Sequence, residues 1–118
     1  MRIGMGSPWG TVDYVEPCAP GITWVSTPGH GGVHLDAAHV VGMPDAFMGA
    51  STDRGGVWWE EDCAWSLVAI VYPYAFPRQS HHPEGYNPVA HAWETARRYF
   101  AAELDEARDV LPAEPATV

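Results

Sequence analysis

A chain of 118 residues and 12.9 kDa supports one hydrophobic core and leaves no room for a second. Its 47% hydrophobic content excludes a disordered polymer, and 15 acids against 6 basic residues, every one an arginine, set a formal charge of −9 that argues against a direct nucleic-acid ligand. The longest apolar run, Ala64 to Phe76, is interrupted by Ser66 and Pro73 and falls short of the roughly 20 apolar residues that span a membrane.

No charged segment followed by an apolar one opens the chain, so a cytoplasmic protein is expected, with Cys18 and Cys63 as thiols. Pro8 to Val15 alternates well enough for a first strand, which Glu16-Pro17-Cys18-Ala19-Pro20-Gly21 is expected to end. Ile22 to Thr27 is a second strand of β-branched and aromatic residues. Pro28-Gly29-His30-Gly31 then reads as a hairpin turn using the positive φ open to glycine, with Gly32 to Leu35 returning.

Asp36 is placed to cap a short helix over Ala37 to Val41, Pro44 to begin a further turn, and Gly49 to Gly56 to form an exposed loop. Glu60-Glu61-Asp62 then suits the first turn of a helix running from about Glu61 to Tyr72, because negative charge there opposes the positive end of the macrodipole. That helix is apolar nearly all round and is expected at the centre of the core, with Pro73 and Pro77 ending it. Arg78 to Tyr86, with His81 and His82, reads as a loop.

Asn87 and Pro88 are the cap and first residue of a last helix with the apolar stripe Val89, Trp93, Ala96, Phe100, Leu104 and Ala107, and with Glu94 and Arg98 spaced as an ion pair. Strands first and helices second predict an α+β fold: a small antiparallel sheet packed against two main C-terminal helices, one domain over residues 1–111 with a flexible tail at 112–118.

Two stretches carry chemistry. Ser26 to Leu35 sets His30 and His34 among three glycines, and Glu60-Glu61-Asp62-Cys63 meets the start of the central helix. A cysteine at a helix start with a histidine nearby is the pattern of a thiolate nucleophile, which would make Cys63, His30 and Asp62 catalytic. The run His30-Gly31-Gly32-Val33-His34-Leu35 resembles the H-x-G-[I/V]-x-L strand of permuted papain-like hydrolases. Against this, three neighbouring acids raise a thiol pKa, and a free cysteine is ordinarily a small buried apolar residue.

His30, His34, Asp62 and Cys63 are zinc ligands in type but lack metal-site spacing, so no metal and no cofactor are expected. The bland reading is that the histidines donate to the acids, which places His30 or His34 within direct or water-bridged reach of Glu60, Glu61 or Asp62. Six tryptophans and five tyrosines exceed what so small a core holds, and exposed aromatics among acids make interface anchors.

The paired segments Trp24-Val25-Ser26-Thr27 with His30-Gly31-Gly32, and Glu60-Glu61-Asp62-Cys63-Ala64-Trp65, resemble an uncharacterised domain family of phage, plasmid and other mobile-element proteins. The resemblance covers about residues 8–74 and implies a mobile-element source without an activity. The leading expectation is a small acidic accessory protein that binds a host or phage protein through His30, His34, Glu60, Glu61 and Asp62; the alternative is a cysteine-dependent hydrolase or transferase using Cys63 with His30.

Overall fold

Alternation of side chains between the two faces of a sheet decides this architecture. In the computed structural model, which describes residues 1–76 and 85–115, strands β3 (Tyr14–Ala19), β4 (Ile22–Ser26), β5 (Gly31–Leu35) and β6 (Trp58–Glu60) pair antiparallel in that order. Two short strands, β1 (Gly6–Ser7) and β2 (Gly10–Thr11), form a separate hairpin ahead of them. Helices α1 (Ala37–Val41), α2 (Trp65–Val71), α3 (Pro88–Tyr99) and α4 (Ala101–Ala107) complete the α+β fold. Among the described residues no helix is long and apolar enough to cross a membrane.

Register assigns the faces. Ile22 opposes Leu35, and Val33 opposes both Trp24 and Trp59, so these side chains share the inner face and enter the main core with Leu67, Val68 and Ile70 of α2. Residues 66–70 are buried without a break, which fits a helix apolar nearly all round, wedged between sheet and α3. Val25, Gly32, His34 and Trp58 take the outer face, where the N-terminal hairpin covers only part of the surface.

The first strand differs from its predicted span. Pro8 and Trp9 form the β1–β2 connection, and β3 begins only at Tyr14 and runs on through Pro17. Pro17 does not end it because β3 is an edge strand, where a missing N–H costs no ladder partner, and a bulge between Pro17 and Ala19 accommodates Cys18. The turn after β3 needs Gly21 at φ 84°, and a side chain there would collide with Asp36 and His39.

Glycine dihedrals do not close the Thr27–His30 turn, since neither Gly29 nor Gly31 has positive φ. Thr27 closes it instead: its N–H donates to the His30 carbonyl at 2.8 Å, and its hydroxyl lies 2.8 Å from that same oxygen and accepts the His30 N–H at 3.2 Å.

Three further elements depart from expectation. Trp58 to Glu60 is a strand, and α2 starts at Trp65 rather than near Glu61, with residues 61–64 forming a turn whose amides at Asp62, Cys63 and Ala64 donate to the Glu60 carboxylate. The last helical stretch breaks at Phe100, with φ −135° and ψ 37°, although no glycine or proline marks the position. Glu94 and Arg98 do not pair; Arg97 binds Glu114 at 2.5 Å. The caps stand as expected, with Asp36 accepting from His39 N–H and Asn87 from Val89 and Ala90 N–H. The expected loop with His81 and His82, and the stop at Pro77, lie outside the described residues, as do residues 116–118.

Candidate functional site

Hairpin β4–β5 and strand β6 bring the two motif stretches side by side, because Gly31 O accepts the Glu61 N–H at 2.9 Å and Gly32 opposes Glu60. Close approach explains the glycines. A Cβ on Gly32 would strike the Trp59 carbonyl and come within 2.7 Å of the Trp9 ring, and one on Gly31 would lie 2.6 Å from Val25 O.

Glu60 is the organising group of the acidic turn. Its carboxylate accepts from Asp62 N at 2.9 Å, Cys63 N at 2.9 Å and Ala64 N at 3.3 Å, and Cys63 Sγ donates to the same side chain at 3.3 Å. Burial opposes ionisation of Glu60, but three backbone donors and the thiol outweigh it and hold the carboxyl below its ordinary range. The partner suffers the reverse effect. Burial first, then the hydrogen bond to Glu60 and the charges of Glu60 and Asp62, push the Cys63 thiol up to about 11. The Ala64 amide still favours the thiolate, but α2 begins two residues later and the burial and carboxylates around the thiol outweigh it.

The histidines stand apart from this knot. His30 is exposed at the hairpin tip, and its side chain makes no hydrogen bond or ion pair among the described residues. His34 is half-buried on the outer face with its ring 4.7 Å from Trp58, and burial, with the chain's amino terminus, holds its pKa below the usual value against the opposing pull of Asp36 and Asp53. Neither histidine hydrogen-bonds Glu60, Glu61 or Asp62, and none bonds Cys63. Among the described residues no three of His, Cys, Asp and Glu gather as metal ligands would.

Asp62 points elsewhere, into a cleft of about 350 Å³ that it lines with His91, Glu94, Thr95, Arg98 and Tyr99 of α3. Sequence reasoning missed two other groupings. Trp9 packs edge-on against Trp58 at 5.6 Å to extend the outer-face aromatics, and Asp36 binds His39 Nδ1 at 2.6 Å beside Tyr72, whose hydroxyl donates to His39 O. The His34–Trp58 pairing becomes visible only once β6 is known to be a strand.

Together these features define an α+β domain built on a four-stranded antiparallel sheet, helical on its inner face, with an acidic turn that ties β6 to α2. The chain belongs to a family described as a domain of unknown function (DUF7007), which matches residues 2–114. No curated protein and no solved structure matches it.

Proposed function

We propose that this protein is a small acidic accessory protein of a phage or other mobile element, acting in the host cytoplasm by binding a host or phage protein. The observation that carries the reading is the state of Cys63. A thiol bonded to a carboxylate and raised to about 11 is almost wholly protonated at neutral pH, which is the opposite of what nucleophilic catalysis requires. With the cysteine committed to the turn, the acidic motif works as a structural clasp and leaves the surface free for a partner. A charge of −9 favours a protein over a phosphate backbone as that partner.

The test is capture from host and phage-infected lysates with wild-type protein and Cys63→Ser as parallel baits. Both are expected to retain the same saturable protein partner. Turnover of a bound substrate that stops in Cys63→Ser would contradict the reading and restore the cysteine enzyme.

A further inference from the structure

On the outer face of the sheet, aromatic surface remains half-exposed beside fixed negative charge. Trp58, Trp9 and His34 form one contiguous ring cluster there, with Trp58 at its centre. They stand apart from the main core, which lies on the opposite face and is filled by Trp59, Val33 and α2. Val12 and Val25 are fully buried outside that main core.

The neighbouring acids are held in place by the backbone. Asp53 accepts from Trp58 N at 3.0 Å and from Val57 N at 3.2 Å, so its carboxylate is pinned at the start of the strand that carries the Trp58 indole. Asp36 is pinned by His39 N at 3.0 Å and by the His39 ring. These are the two acids whose charge acts on His34, and Glu60 stands on the same face two residues beyond Trp58. The amino terminus acts on His34 in the opposite sense, and the Arg54 guanidinium lies beside Gly49.

An aromatic face bordered by preset carboxylates is the chemistry that recognises a cationic side chain, by cation–π attraction over the ring and charge-assisted hydrogen bonds at its edge. We propose that the outer sheet face around Trp58 docks a basic segment of the partner protein, with an arginine or lysine of that segment stacked on Trp58 and paired with Asp53 and Asp36. The proposal rests on the binding reading above and specifies its surface and partner chemistry. Cation–π stacking favours a desolvated ring, and Trp58 is already partly desolvated by Trp9 and His34.

The test uses the full chain and a fluorescent oligoarginine peptide as probe, followed by anisotropy at low and at physiological ionic strength. Asp36→Asn with Asp53→Asn removes two charges but keeps an amide oxygen to accept the same backbone N–H groups, so the caps survive. Glu106→Gln with Asp109→Asn removes two exposed charges, one near the end of α4 and one in the short 3-10 turn that follows it, and serves as the control. The first pair is expected to weaken binding about tenfold and the second less than about threefold, with Trp58→Phe weakening it by an intermediate factor.

Equal weakening by both pairs would mean diffuse attraction to a negative protein, and no binding by the wild type would mean no cation site; each overturns the proposal. A concentration-dependent dimer broken by Trp58→Phe would likewise overturn it, by showing that a second copy occupies the face. None of these outcomes bears on Cys63, so a failure here leaves the binding reading standing on its own test.

Discussion

Trp58 and Trp59 are adjacent in the chain and meet opposite conditions. Trp59 is fully buried, donates its indole N–H to Gly56 O at 2.7 Å and packs in the main core, whereas Trp58 stays half-exposed against Trp9 and His34. The inner face therefore carries stability, and the proposed recognition surface falls on the outer face. A strand converts one step along the chain into a change of role.

Substitution at the two tryptophans gives the largest test of that contrast. Trp59→Ala empties a fully buried site and is expected to cost about 3–5 kcal/mol, enough to threaten folding of a domain this size. Trp58→Ala is expected to cost about 1 kcal/mol, within the ordinary range for a partly exposed side chain. Urea denaturation measures both, and equal losses would erase the division between faces.

Next in size is the glycine that lets the two faces meet at β6. Gly32→Ala drives a methyl against the Trp59 carbonyl and to within 2.8 Å of Glu60 Cα, both backbone atoms, so about 1–3 kcal/mol of destabilisation is expected. Gly29→Ala, at the same hairpin, meets no atom within 4 Å and should stay within about 0.5 kcal/mol of the wild type by the same assay.

The smallest effect belongs to His34. Its folded pKa lies below the unfolded value of 6.5, so the unfolded chain takes up the proton more readily and stability is expected to fall as pH drops through 6.5, levelling below the folded pKa. His34→Gln should remove that segment of the pH–stability curve while leaving the acid limb below about pH 4.5, where Glu60 loses its charge and its three backbone bonds weaken.

Much of the fold was legible in the residues. The strand Ile22 onward, the cap at Asp36, the cap at Asn87 followed by Pro88 and the all-round apolar helix are local signals, and each lies where local chemistry put it. What escaped was set by pairing. Pro17 inside a strand is unremarkable only on an edge, and Trp58-Trp59-Glu60 becomes a strand only because β5 offers it a partner.

Strand pairing sets the two motif stretches side by side, and no direct histidine–acid hydrogen bond joins them. His30, Glu61 and Cys63 were brought to one end of the sheet, but the acid that matters most, Glu60, spends its carboxylate on three amides and a thiol and takes no histidine. Side-chain direction at a turn decided this, and composition carries no record of direction. Asp53 and Asp36 were likewise legible as loop and cap residues, without a sign that both act on the His34 ring.

The claim that Cys63 is a clasp thiol, on which the binding reading depends, is tested most directly by the pH–rate profile of iodoacetamide labelling in a Cys18→Ser chain. Labelling of the folded protein should be slow at neutral pH and rise toward an inflection near 11, where the Glu60-bonded thiol finally ionises. Rapid labelling at neutral pH with an inflection below about 7.5, lost in a folded His30→Ala variant, would contradict the account and make Cys63 a nucleophile.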